Sequence, residues 1–160
     1  MATSAWELLS SLNLVNADGT AKDFLAANVT QNKDALNVWL LSANATNMAY
    51  MLSAQLATME FNVFYTSAKY GVGVNPNALV YAPALLNPAF PPTTGLNALG
   101  FITVANLMTA ANNILVPPGN LTVGASTLRS YEEALKTPLD SANNNLNFVQ
   151  SAPCDFHFGD

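Results

Sequence analysis

Between Gly71 and Thr94 the chain carries Gly71, Gly73, Pro76, Pro83, Pro88, Pro91 and Pro92. Proline lacks an N–H and clashes with the preceding helical turn, so no long helix or strand can run through this stretch. The chain is thereby divided, and its long regular elements must lie before residue 71 or after residue 94. Loops of this length are uncommon in compact domains unless packed down by their own side chains. Leu79, Val80, Tyr81, Leu85, Leu86 and Phe90 are available for that purpose. We read 71–94 as a long ordered loop with one turn around Ala78 to Tyr81.

Helical signals stand on both sides of it. Ser4 and Glu7 have the spacing of a capping box ahead of Leu8, Leu9, Leu12 and Leu14, which predicts a short helix from about Ala5 to Leu12 ending at the turn Asn16-Ala17-Asp18-Gly19. Lys22 to Ala27 is read as a further helical turn. From Lys33, Leu36, Trp39, Leu40 and Ala43 recur at helical spacing, and after Asn44-Ala45-Thr46 the pattern resumes as Met48, Met51, Leu52, Leu56, Met59 and Val63. This is one kinked helix or two consecutive helices, and it should form the centre of the fold. Thr103 caps a helix with Val104, Leu107, Met108, Ala111, Ile114 and Leu115 on one face, stopped by Pro117-Pro118-Gly119. A last helix runs from about Ser126 to Asn145, where Pro138 should kink it or remove a hydrogen bond. Phe148, Gln150, Cys154, Phe156 and Phe158 then follow a period of two, the pattern of a short extended tail that can lie on the domain or add to a neighbour's sheet edge.

The predicted fold is mainly α: one compact helical domain over 1–160, with an N-terminal helical arm at 1–30, a long central helix or helix pair at 33–67, the Pro-rich ordered loop at 71–94, C-terminal helices at 103–147 and an extended tail at 148–160.

Charge narrows the function classes. Only 9% of residues are charged, against roughly 25% in an average soluble domain, while mean hydropathy is +0.23. Twenty asparagines, with many Ser and Thr, must keep the surface wet. Neutral polar side chains do not repel one another, so such a surface suits contact with other copies of itself. The five bases, Lys22, Lys33, Lys69, Arg129 and Lys136, are scattered, which argues against nucleic acid and anionic membranes as partners. The most apolar stretch, Ala45 to Tyr65, contains Asn47, Ser53, Gln55, Glu60 and Asn62 and is read as a buried helix rather than a transmembrane segment. Met1 to Leu14 does not read as a signal peptide, so no leader is expected in this chain.

Few residues offer chemistry. Asp155, His157 and Asp160 lie close in sequence, and in an extended tail Asp155 and His157 share a side, but a solvated tail is the better expectation than a two-ligand metal site. Cys154 with His157 lacks an orienting third group for nucleophilic catalysis. As the single cysteine, Cys154 either stays a buried free thiol or pairs with another chain. Glu60 is a general acid with raised pKa if it faces the core, and a solvated or network residue otherwise. Glu132 and Glu133 point about 100° apart and do not converge. Lys136 follows Glu132 by four, which reads as a surface ion pair. Asp140, Asn143 and Asn144 share a helical face, yet a rigid helix rarely wraps Ca²⁺. Asn28-Val29-Thr30, Asn44-Ala45-Thr46 and Asn120-Leu121-Thr122 are sequons of the kind that arise by chance in an Asn-rich chain. No catalytic, cofactor-binding or metal-binding residue is therefore assigned.

Four segments carry a resemblance: Asn47-Met48-Ala49-Tyr50-Met51-Leu52-Ser53-Ala54-Gln55-Leu56-Ala57, Ala78-Leu79-Val80-Tyr81-Ala82-Pro83, Gly95-Leu96-Asn97-Ala98-Leu99-Gly100-Phe101-Ile102, and Glu133-Ala134-Leu135-Lys136 leading to Asn143-Asn144-Asn145-Leu146-Asn147-Phe148-Val149-Gln150. Over roughly residues 35 to 156 the chain resembles an uncharacterised helical domain of large secreted or surface-attached bacterial proteins, one that commonly follows a Gly-aromatic-Trp-x-Asn motif beside adhesin-like modules. The resemblance implies an extracellular or cell-surface location and a structural or adhesive role without catalysis. The expected function is a self-associating structural subunit of a filament, surface layer or matrix, with Tyr81, Leu85, Leu86, Phe90, Phe148, Phe156 and Phe158 as assembly contacts. The alternative is a monomeric adhesion or glycan-binding module in which Tyr and Trp provide a stacking platform.

Overall fold

A computed structural model describes residues 4–24, 29–67 and 71–149. The fold is mainly α with one small sheet. In chain order the elements are α1 (Ala5–Ser10), α2 (Val29–Ser42), α3 (Met48–Glu60) running into a π-helical turn (Phe61–Tyr65), β1 (Leu79–Tyr81), a 3-10 turn (Pro83–Leu86), β2 (Phe101–Thr103), α4 (Val104–Ile114), α5 (Thr127–Asn143) and β3 (Phe148–Val149).

Helix starts follow local side-chain chemistry. The capping box at Ser4 is formed in both directions, Glu7 N donating to Ser4 Oγ and Ser4 N to Glu7 Oε2. Asn47, Thr103 and Ser126 cap α3, α4 and α5 by accepting an N–H from the first turn. The end of α5 is set by asparagines. Leu146 N donates to the Ser141 carbonyl, Asn145 N donates to the Ala142 carbonyl, and Asn145 takes the left-handed backbone at φ 58°. That is the helix-ending arrangement in which Asn can stand where Gly usually does. The helix runs on through the buried Pro138.

The centre of the fold is a helix pair and not one long helix. Asn44 breaks it by accepting the Thr46 N–H and donating to the Ser42 carbonyl. Ten of the thirteen residues of α3 are buried, as an apolar helix without a polar face must be. It packs most extensively on α5, and α4 packs on both. Asn47 and Glu132 are linked through Thr122 at one end of the α3–α5 pair, and Gln55 bonds Asn143 at the other, so the two helices run parallel. An aromatic chain links α2 to α3: Phe24 meets Trp39 edge-on at 5.5 Å, and Trp39 meets Tyr50 at 5.4 Å. Such pairs contribute about 1 kcal/mol each beyond area burial.

The 71–94 stretch departs from its expected form. In place of a turn at Ala78 to Tyr81 there is a strand, paired antiparallel with β2 (Leu79↔Thr103, Tyr81↔Phe101) and with β3 (Leu79↔Val149, Val80↔Phe148), in the order β2-β1-β3. Val80 and Ile102 point into the core at 0% exposure. The rest of the stretch is held by Leu85 in the core, by the Phe90 ring at 5.4 Å from Tyr131, and by Thr93 Oγ1 at 2.9 Å from the Tyr131 hydroxyl. Residues 22–24 are not helical, and 25–27 lie outside the described residues, as does the tail from 150 onward.

Candidate functional site

Two features of the structure stand out: a buried polar junction at the start of α3, and apolar side chains left exposed in and around the sheet.

The junction is built around Asn47, 1% exposed. Its Oδ1 accepts from Ala49 N at 3.2 Å and from Thr122 N at 2.9 Å. Its Nδ2 faces the carbonyls of Asn16, Ala17 and Asn120 at 3.3–3.5 Å. Thr122 Oγ1 accepts the Ala49 N–H and donates to Glu132 Oε2. Arg129 closes the outer side, donating to the carbonyls of Thr122, Ala45 and Thr46. Four segments of the chain, 16–17, 45–49, 120–122 and 129–132, are thus joined by groups that would otherwise be buried without partners.

This arrangement corrects the expected role of Glu132. Its side chain is fully buried and does not pair with Lys136, whose Nζ instead reaches Asp140 Oδ2 at 2.8 Å. Packing places the Glu132 face of α5 against α3 and the 120–122 segment, and the ion pair moves one turn along a half-buried face. Burial pushes the Glu132 carboxyl up to about 7, against the opposing pull of the Thr122 hydrogen bond and the Arg129 charge. Its Oε1 has no hydrogen-bond partner among the described residues. Glu60, at 5% exposure, is likewise pushed up to about 7 by burial. The two carboxyls lie towards opposite ends of the parallel α3–α5 pair, so they form no acid–base dyad. Glu132 has no open face to offer a substrate.

The remaining chemical candidates are not brought together. Glu133 is exposed while Glu132 is enclosed. Asn143 turns away from Asp140 to bond Gln55 and Asn62, and Asn144 bonds Asp140 instead. Cys154, Asp155, His157 and Asp160 lie outside the described residues, among which no group of three or more His, Cys, Asp or Glu could hold a metal ion. Asn120 of one sequon donates to the Gly19 carbonyl at 2.8 Å, and its Thr122 is buried. No helix among the described residues is long and apolar enough to cross a membrane.

The expected assembly contacts separate into two groups. Tyr81 and Leu86 are exposed, at 47% and 44%. Leu85 belongs to the core, and Phe90 and Phe148 pack against it, so these three hold the loop and the last strand down. Phe156 and Phe158 lie outside the described residues. Two residues not expected join the exposed set: Leu99 at 70% and Leu146 at 78%. Apolar periodicity could not have found them, since each stands alone in an irregular segment.

A hollow of about 710 Å³ lies beside α2, lined by Asn16, Asp18, Lys22, Asp34, Trp39 and Tyr50 among others. Trp39 and Tyr50 line it at 5% and 4% exposure, and their rings pack on each other and on Phe24. They form a floor and not a stacking platform.

No protein-family model matches the chain, and neither curated proteins nor solved structures give a match to it.

Proposed function

We propose that this chain is a non-catalytic structural protein of the cell exterior that associates with its own copies, as a subunit of a filament, surface layer or matrix. The observation that carries the reading is the distribution of charge. Between Lys69 and Arg129 the chain holds no charged side chain at all. That block supplies β1, β2, α4 and the exposed Tyr81, Leu86 and Leu99. Interface cores are depleted in charge and enriched in aromatic residues relative to the remaining surface. A chain of net charge −5 whose carboxylates all lie outside this block can bring such surfaces together without opposing like charges. The family resemblance of the four quoted segments supports the extracellular setting.

A second reading is a monomeric adhesion or glycan-binding module, favoured by the hollow beside α2, which Asn16, Asp18 and Asp34 line together with Trp39 and Tyr50. Size-exclusion chromatography with light scattering, followed by negative-stain microscopy, separates the two. Particles or filaments of regular repeat support the structural subunit. A 16.9 kDa monomer at every concentration sinks it and leaves the binding module.

A further inference from the structure

A groove of about 290 Å³ lies between α4 and the 91–94 segment, lined by Pro91, Pro92, Thr93, Asn106, Asn113 and Tyr131 among others. Its helical wall follows from spacing. Asn106, Thr109, Ala110 and Asn113 stand at i, i+3, i+4 and i+7 of α4 and so share one face, while Val104, Leu107, Met108 and Ala111 are buried on another. The two asparagines are about 10 Å apart along the helix axis. Residues 91–94 form the facing wall, and Thr93 Oγ1 ties it to the Tyr131 hydroxyl at 2.9 Å. Gly95 then turns the chain at φ 81°, and a Cβ there would fall 2.0 Å from Asn106 Nδ2, so glycine is what lets the backbone lie on that amide.

The amides of Asn106 and Asn113 meet no hydrogen-bond partner among the described residues. Elsewhere in the fold the same side chain is tied to the backbone, as at Asn97, Asn120 and Asn143. Thr109 Oγ1 donates to the Ala105 carbonyl at 2.9 Å and keeps its lone pairs for another donor. No acidic or basic side chain lines the groove.

These walls separate ligand classes. An ion would give up its hydration without meeting a counter-charge. A wholly apolar molecule would strip water from two amides and return no hydrogen bond. A sugar ring answers both demands: its hydroxyls donate to and accept from the amides, and its C–H face packs on Pro91, Pro92 and Ile114. Volume sets the size. The groove has room for about ten waters at ~30 Å³ each, which places it at the lower end of small-ligand sites and suits one ring better than a peptide strand. We infer that the groove between α4 and the 91–94 segment is a binding site for one neutral sugar residue, held by the Asn106 and Asn113 amides. The site is separate from the hollow beside α2, and it does not depend on self-association.

Amide-resolved NMR titration of the full chain with glucose, galactose, mannose and N-acetylglucosamine, each to about 50 mM, covers millimolar dissociation constants. At least one sugar should shift the amides of residues 93–95 and 106–113 saturably. Asn106→Leu and, separately, Asn113→Leu keep a side chain of similar size without its hydrogen bonds, and each should raise the dissociation constant at least about tenfold. Asn113 is exposed, so its variant folds and carries the test even if Asn106→Leu does not. Asp34→Ala, in the hollow beside α2, should leave binding unchanged. No saturable shift from any of the four sugars overturns the site. Shifts confined to residues lining the hollow beside α2, lost in Asp34→Ala, move the sugar there and overturn it equally. Glucuronate, glucosamine or a capped alanine dipeptide bound as tightly as the best sugar overturns the ligand class. A methyl glycoside that binds like its parent sugar supports a residue carried on a glycan, whereas binding of the reducing sugar alone supports a free monosaccharide.

Discussion

Asn47 and Thr122 lie 75 positions apart and meet in the core, where the Thr122 N–H donates to Asn47 Oδ1 at 2.9 Å. The same oxygen caps α3 through Ala49 N, while Nδ2 serves three carbonyls on two other segments. One amide therefore starts a helix and ties down two loops. Asn47→Ala removes a cap, which costs about 1 kcal/mol, and strands a buried N–H and several buried carbonyls, which costs about 1–3 kcal/mol more. A total near 3 kcal/mol lowers the melting temperature by about 6–12 °C in a chain of this size. Asn47→Asp keeps the cap oxygen and should recover part of the loss. Calorimetry showing Asn47→Ala within 2 °C of the parent would refute the role given to this residue.

The pH dependence of stability should run opposite to ordinary acid denaturation. Glu132 and Glu60 are raised by burial from 4.5 to about 7, so over that range the folded chain binds more protons than the unfolded one. Their contribution is fully present below pH 4.5 and is lost as pH rises through about 7. A shift of this size in an enclosed group corresponds to about 2–3 kcal/mol. The exposed Asp18, held below its usual value by the Thr20 hydroxyl, runs the other way. Glu132→Gln should match the parent near pH 4.5 and exceed its stability near pH 8. Urea unfolding at the two pH values decides it, and equal differences at both would show that Glu132 does not titrate with the fold.

Gly19 and Gly124 both take positive φ, at 83° and 77°, but only Gly19 is crowded. A Cβ there would sit 2.8 Å from Leu121 Cβ, whereas nothing lies within 4 Å at Gly124. Gly124→Ala thus isolates the left-handed backbone cost of about 1–2 kcal/mol. Gly19→Ala adds a clash and should destabilise by at least about 1 kcal/mol more. Comparable melting temperatures for the two variants would mean that the 16–20 turn shifts freely away from Leu121.

Leu85 and Leu86 are neighbours with opposite surroundings, 4% and 44% exposed. Leu85→Ala should cost about 2–5 kcal/mol through the cavity it leaves. Leu86→Ala should stay within about 0.5 kcal/mol, as surface changes do, while weakening assembly. The reverse ranking, in melting temperature and light scattering measured side by side, would mean that the 3-10 turn is rotated from the orientation described.

Asparagine shows how composition can be legible and still misread. Composition alone predicts that the twenty residues wet the surface. Many instead bond their own backbone: Asn44, Asn75, Asn87 and Asn97 each accept an N–H two residues on. These short bonds end helices and set turns, so much of the asparagine content is architecture. What remains for the surface is the scarcity of charge.

Helix caps at Ser4 and Thr103, the start of the last helix near Ser126, the break at Asn44 to Thr46 and the buried face of α3 were determined by the sequence alone, because each depends on groups within about four residues of one another. Strand β1 was not, since its three residues are too few for a period and its partners begin 20 and more residues away. Local spacing likewise paired Glu132 with Lys136 and grouped Leu85 with Leu86. Only the tertiary structure decided otherwise, because burial and hydrogen-bond pairing depend on which distant segment arrives: Thr122 at Glu132, and the core at Leu85 but not at Leu86.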